Sequence, residues 1–146
     1  MSTTQNTDHD PTHDPAQDPA HDPAQRLIDS IAAGTGIPAG LFAADAVLDA
    51  TVPLWRYETT GGDAIGRELG KWYKDPATID KVVRRPIPGG VALELDFSWE
   101  DGGVPHASHQ LHLLTIDDHV IAADTVFCGG RWGAELLAEM EAARAH

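Results

Sequence analysis

LELDFSWEDGGVPHASHQLHLLTIDDHVIAADTVFC, residues 93–128, is the stretch that decides the fold. It reads as three consecutive β-strands. The run Val91 to Trp99 alternates with period two and carries β-favouring side chains. Gly102-Gly103, after Glu100-Asp101, is a strong hairpin signal. The next strand spans about His106 to Ile116. Asp117-Asp118-His119 turns the chain again, Val120 to Cys128 makes the third strand, and Gly129-Gly130 stops it.

The turns set the register. With Gly102-Gly103 as a two-residue loop, Asp101 pairs with Val104, Asp96 faces His109 and Glu94 faces Leu111. With Asp118-His119 or Asp117-Asp118 as the second turn, Asp124 falls opposite Leu113 or Leu111. Either way, Glu94, Asp96, His109 and Asp124 share one face with Leu111, Leu113, Val126 and Cys128. The other face then holds Leu93, Leu95, Phe97 and Trp99 with His106, Ser108, Gln110, His112 and Phe127. A one-residue slip would send a whole strand's side chains to the other side. Both faces are substantially apolar, which predicts a curved sheet with helices and a pocket on the first face and a subunit partner on the second. Proton-carrying groups in an apolar wall are what a small-molecule pocket needs.

Composition bounds the function. The chain has 146 residues, 42% hydrophobic and 23% charged, within the range of one globular domain. Net charge is −13. The first 25 residues carry five Asp and no Lys or Arg, so the remainder carries −13 + 5 = −8. That disfavours nucleic-acid phosphates and anionic membrane surfaces as partners. The single cysteine, Cys128, excludes an intrachain disulfide and fits a reducing cytoplasm. No stretch approaches the roughly 20 apolar residues of a membrane span, and the N-terminus lacks the apolar run of a secretory signal.

Residues 1–25 read as a disordered acidic tail. Asp8-His-Asp-Pro-Thr-His-Asp-Pro-Ala-Gln-Asp-Pro-Ala-His-Asp-Pro-Ala24 repeats Asp-Pro every four residues and offers little apolar surface to offset ordering entropy. His9, His13 and His21 have the donors for weak metal binding, and a solvated tail explains them more simply. Residues 26–146 form the domain. A helix is predicted over Gln25 to Ala33, stopped by Gly34, and a turn or second helix over Ile37 to Ala44. Strands follow at Ala46 to Val52 and Trp55 to Thr60. Asp63 reads as the cap of a helix to about Tyr73, with Ile65, Leu69 and Trp72 at helical spacing. Thr78 to Arg85 is a further strand, and Trp132 to Ala143 a last helix with Leu136, Leu137 and Met140 on one side. Helices segregated from a mostly antiparallel sheet make the class α+β.

The segment Leu41-Phe-Ala-Ala-Asp-Ala-Val-Leu-Asp-Ala-Thr-Val-Pro-Leu-Trp-Arg56, the helix opening Asp63-Ala-Ile-Gly, and Ile116-Asp-Asp-His-Val-Ile-Ala-Ala-Asp124 resemble the nuclear transport factor 2-like superfamily, and within it the SnoaL-like proteins. The resemblance covers about residues 26 to 133. It implies a cone-shaped sheet with helices on the concave side enclosing a pocket, and often a dimer through the opposite face. It further implies an Asp on the last strand as acid/base with a His on the neighbouring strand, for which Asp124 and His109 stand in comparable places. The Arg-x-Asp element of the superfamily's epoxide hydrolases falls near Glu94-Leu-Asp96, without the Arg. The base of ketosteroid isomerase falls near Asp49-Ala50, one residue out of step. Polyketide cyclases also belong to this superfamily.

The expected chemistry is proton abstraction α to a carbonyl, with Asp124 as base and His109 donating to the developing enolate oxygen. Asp96 is placed to orient His109. Trp55, Tyr57, Glu94, Leu111, Leu113 and Val126 are the expected wall for a small apolar, carbonyl-containing or polyketide-like substrate. No phosphate loop, dinucleotide fingerprint or zinc motif is present, so neither cofactor nor metal is called for. The expectation is a cofactor-free cyclase, isomerase or lyase, dimeric and cytoplasmic. The alternative is a non-catalytic small-ligand-binding or dimerisation domain.

Overall fold

The computed structural model describes residues 22–145. The acidic repeat up to residue 21, with its three histidines, lies outside the described residues.

The first helix, α1, spans Pro23–Ala33. Asp22 is its N-cap, and its carboxylate accepts from the backbone N–H of Ala24 at 3.0 Å and of Gln25 at 3.3 Å. Proline follows at the first helical position, where no N–H is missed. The Asp22 carboxylate also takes Nη2 of Arg84 at 2.7 and 2.9 Å. The tail as read from sequence, ending at residue 25, is therefore too long: residues 22–25 belong to the domain. Each Asp-Pro of the repeat looks alike in sequence, and Asp22 is set apart by a partner 62 positions away. At the other end Gly34 takes φ 66°, and a Cβ there would lie 2.2 Å from the Asp75 carbonyl carbon, so only glycine fits.

Strands β1 (Phe42–Val52) and β2 (Trp55–Thr60) form a hairpin. Of the turn or helix expected over Ile37 to Ala44, a turn is present at Ala39 and Gly40, where the Leu41 N–H donates to the Pro38 carbonyl at 3.2 Å, and Phe42 already lies in β1. Helix α2 covers Gly62–Trp72. Its N-cap is Gly61, so Asp63 is not the cap; it lies in the first turn, where its charge suits the helix dipole. Strands β3 (Thr78–Ile87), β4 (Gly90–Asp101), β5 (Val104–Asp117) and β6 (Val120–Cys128) follow as the expected meander. The last helix, α3, starts at Ala134, because Trp132–Gly133 form a short strand β7 against Ala107 and His106 of β5. α3 (Ala134–Arg144) has no buried residue.

The sheet order is β2-β1-β6-β5-β4-β3, with β7 beside β5. Every pairing is antiparallel except β1 with β6. The sheet is curved and unclosed, and the class is α+β. α1 and α2 cover one face, burying Leu27, Ile31, Ile65 and Leu69 against Leu93, Leu95, Leu48 and Val126. No helix of the described residues is long and apolar enough to cross a membrane.

The β4–β5 register matches the sequence reading, with Asp96 opposite His109 and Glu94 opposite Leu111. The β5–β6 register starts as expected, with Asp118 and His119 as the two turn residues at φ 52° and 65° and Asp117 opposite Val120. It then changes. Ile116 pairs with Ile121, but Thr115 pairs with Ala123, leaving Ala122 as a one-residue bulge. Asp124 moves opposite Leu114 instead of Leu113. That step puts Asp124, Val126 and Cys128 on the face of Phe97, Gln110 and His112, and leaves Glu94, Asp96, His109, Leu111 and Leu113 behind it.

The Asp22 carboxylate joins α1 to β3. Asp22→Ala removes both the cap and the ion pair, and is expected to lower unfolding free energy in urea by about 1–3 kcal/mol. Arg84→Gln, which spares the cap, is expected to cost less.

Candidate functional site

α2 and the inner face of the sheet are not in full contact. Between them lies a cavity of about 540 Å³. The β1–β2 turn contributes Val52 and Pro53, and the C-terminal end of α2 contributes Lys71, Trp72 and Lys74. β4 supplies Phe97 and Trp99, β5 supplies Ser108 and Gln110, and the end of β6 with the following loop supplies Cys128, Gly130 and Arg131. The volume falls in the range of about 300–1,000 Å³ usual for small-molecule sites.

The wall is aromatic. Phe97 stacks on Trp99 at 5.6 Å between centroids, and Tyr73 meets Phe97 edge-on at 5.9 Å. His106 also stacks on Trp99, at 5.6 Å. The Arg131 guanidinium lies 4.8 Å from the Trp99 ring centroid. Trp99 is only 9% exposed, and its Nε1 is the one buried side-chain donor without a partner among the described residues. Such an orphan costs about 1–3 kcal/mol.

Beneath the cavity floor lies a buried polar network. Asp124 and His112 are both 0% exposed. His112 Nδ1 lies 2.9 and 3.1 Å from the two Asp124 oxygens. The Tyr73 hydroxyl donates to Gln110 Oε1 at 2.6 Å, and His112 Nε2 lies 2.9 Å from that same oxygen. An oxygen already accepting from Tyr73 takes the His112 contact only as a second N–H. The other ring nitrogen faces the Asp124 carboxyl group, so both ring nitrogens of His112 have a partner. Gln110 Nε2 then points at Cys128 Sγ, 3.4 Å away. Gln110 thus joins the buried pair to the cavity lining.

Two tyrosines respond to this environment. Tyr57 donates to Glu68 Oε2 at 2.6 Å and accepts from Trp72 Nε1 at 3.1 Å. Burial, then the Glu68 carboxylate, pushes its hydroxyl up to about 12. Tyr73 is raised by burial and, next, by the charge of Asp124. Tyr57 braces Trp72 rather than lining the cavity.

Of the expected site residues, none lines the cavity. Asp124 and Val126 are on the correct face but fully buried beneath it. Trp55 packs on Tyr57 at 5.2 Å and is 65% exposed. Asp96, His109 and Glu94 form a separate network on the outer face. His109 Nδ1 meets Asp96 Oδ1 at 2.5 Å, its Nε2 lies 3.4 Å from Glu94 Oε2, and Arg85 holds Glu94 at 3.1 Å. Asp96 therefore meets His109 across the expected strand pair, but away from the cavity and on the opposite side of the sheet from Asp124. Leu111 and Leu113 share that outer face. The corrections have two physical reasons. The bulge at Ala122 reverses the side of Asp124, and the helices cover the Leu93–Trp99 phase of β4, not the Glu94–Asp96 phase. His112, expected at a partner interface, is instead Asp124's buried partner. The signal for the true lining was the phase Phe97, Trp99, Ser108, Gln110, which alternates as regularly as the one chosen. No group of three or more His, Cys, Asp or Glu suited to a metal ion occurs among the described residues.

The architecture has counterparts among solved structures. A nuclear transport factor 2-like protein from Anabaena variabilis ATCC 29413 superposes with a TM-score of 0.65 at 11% identity, covering 75% of this chain and 86% of that one. This chain has the nuclear transport factor 2-like fold. A protein of unknown function with a cystatin-like fold from Xanthomonas campestris matches at TM-score 0.55 and 20% identity, covering 81% and 92% of the two chains. A phenazine biosynthesis-related protein from Pseudomonas aeruginosa matches at 0.51 and 17%, covering 73% and 78%. At these identities the likeness speaks to fold alone. No protein-family model matches the sequence, and no curated protein matches it significantly.

Because both tyrosines are raised, their neutral forms are favoured in the folded chain. The stability this brings is fully present below the ordinary tyrosine value of about 10 and is lost as pH rises through the folded values. A near-ultraviolet phenolate titration should show native ionisation starting above that of the urea-unfolded chain, with unfolding free energy falling from about pH 10 upward. Coincident native and unfolded titrations would contradict the burial of both rings.

Proposed function

We propose that this chain binds a small, flat, largely apolar molecule in the cavity between α2 and the sheet. The observation that carries the reading is the wall itself. Three aromatic rings, Trp72, Phe97 and Trp99, line it together with Ser108, Gln110 and Cys128 and three cationic side chains, Lys71, Lys74 and Arg131. Such a surface rewards burial of a planar ligand by about 25 cal/mol per Å² of apolar area removed from water, and the few polar groups set its orientation. The buried Asp124–His112 pair, with Tyr73, holds Gln110 in one orientation, so its amide is a preorganised contact for a ligand carbonyl or hydroxyl.

A second reading is favoured by that same pair. A SnoaL-like acid/base enzyme of cyclase, isomerase or lyase type on a carbonyl or polyketide-like substrate would use Asp124 and His112, not His109, with Gln110 as the contact to substrate. Both groups are sealed from the cavity, which favours binding over proton transfer. The outer face, where Phe127 is 45% exposed beside half-buried Leu111 and Leu113, suits a second copy of the chain as the homodimer partner.

Binding is checked by tryptophan fluorescence during titration with planar aromatic ligands. Saturable quenching is expected, weakened tenfold or more in Ser108→Phe, which fills the cavity. Loss of α-proton signal from an enolisable ketone in deuterated buffer separates the readings. The binding reading expects no catalysed exchange, and exchange abolished in Asp124→Asn would establish the enzyme instead. Sedimentation velocity is expected to show a dimer that Phe127→Lys dissociates; a monomeric parent chain would remove the dimer proposal.

A further inference from the structure

The charge around the cavity runs against the charge of the chain. Asp and Glu number 23 against 10 Lys and Arg. Yet three of those ten cations, Lys71, Lys74 and Arg131, line this one cavity, and no Asp or Glu does. Other hollows on the surface do not share this: one between α2 and the preceding loop includes Asp63, and one beside α3 includes Glu100.

The acids that pair with these cations are not part of the lining. Lys71 lies 3.7 Å from Glu68, Lys74 2.9 Å from Asp75 and 3.6 Å from Asp101, and Arg131 3.7 Å from that same Asp101. The contacts at 3.6–3.7 Å are exposed and loose, and are readily exchanged for a ligand anion. Lys74 is held above the ordinary lysine range by Asp75, so it is charged throughout the physiological range. Arg131 has a further property: its guanidinium rests on the Trp99 ring, and that ring carries the buried N–H that lacks an acceptor. A planar cation thus lies on the aromatic wall, suited to pair with the oxygens of a carboxylate. For an acidic protein, a local cluster of this kind is what lets an anion approach against the overall field.

We propose that the ligand of this cavity is an organic carboxylate, its flat apolar body against Phe97 and Trp72 and its carboxylate at Arg131 and Lys74. This rests on the cavity reading above. The body supplies burial. The charged end supplies orientation and discriminates against neutral analogues of the same shape.

Three naphthalene probes test it on the full chain by tryptophan quenching at low salt: 2-naphthoate, its neutral amide 2-naphthamide, and 2-naphthyl phosphate. The carboxylate is expected to bind at least tenfold more tightly than the amide. The preference should shrink with added salt and fall to near unity in the double variant Arg131→Gln, Lys74→Gln. Arg131→Lys, which keeps the charge, should retain part of it. Both side chains are partly exposed, and circular dichroism melting verifies that the variants fold. Equal affinity for acid and amide, or a preference unchanged in the double variant, overturns the carboxylate assignment while leaving the cavity as an apolar site. Tighter binding of the phosphate than of the naphthoate also overturns it, in favour of a phosphate ester. No binding of any probe, including the amide, defeats the cavity reading and this inference with it.

Discussion

One unpaired residue, Ala122, decides where the polar chemistry of this protein goes. Its bulge brings Asp124 to the inner face, one strand from His112, where the two side chains meet with no exposure to water. A carboxyl group and an imidazole in such a place are tolerated only as a pair. Removing one partner of a buried pair costs about 3–5 kcal/mol, because the other is left without a hydrogen-bond partner or a counter-charge. The pair therefore requires the bulge, and the bulge fixes β5 against β6 in a single register. Tyr73 at the end of α2 and Gln110 on β5 complete the network: their 2.6 Å hydrogen bond ties helix to sheet, and His112 Nε2 lies 2.9 Å from the same Gln110 oxygen.

The cavity follows from that arrangement. α2 is anchored near its C-terminal end by Tyr73 and along its length by Ile65 and Leu69, all buried in the core. Beyond Tyr73 the inner face continues through Phe97, Trp99, Ser108 and Cys128, with no helix seated on it. The aromatic rings there pack on one another as well as on the core, and form one wall of the hollow. The solved structures that share this fold carry different descriptions, from an uncharacterised protein to one related to phenazine biosynthesis. The scaffold supplies a hollow, and the residues lining it select the occupant.

The two faces of the sheet treat charge in different ways. On the outer face His109 lies between Asp96 and Glu94, with Arg85 beyond, in a partly exposed network where each charge has water as well as a partner. On the inner face Asp124, His112 and Tyr73 are buried, the first two satisfying each other and the tyrosine kept neutral by burial, while Tyr57 is half-buried with its hydroxyl raised as well. Charge reappears at the cavity lining as cations, whose acidic partners lie outside the lining. An acidic chain that keeps acids off one opening imposes a preference on whatever enters there.

Much of the fold was legible in the residues. Period-two alternation, the Gly102-Gly103 and Asp118-His119 turns, and the apolar spacing of Ile65, Leu69 and Trp72 are local signals, and each element they imply is present in the expected order. The pairings Asp96–His109 and Glu94–Leu111 follow from a two-residue loop alone. The site was not legible, for reasons that are not local. Nothing in Val120 to Asp124 marks Ala122 as the residue left out of the ladder, because a bulge is selected by both neighbouring strands; β1 is itself irregular across from it, between Phe42 and Val47. Nor does alternation say which of two apolar phases the helices will cover. Asp22 shows the same limit, being one of several Asp-Pro repeats until Arg84 meets it in space. Local sequence determined the strands, the turns and most of their pairing, because those depend on backbone preference over a few residues. Tertiary structure alone decided which face became the interior, since that choice is made by the packing of helices far away in the chain.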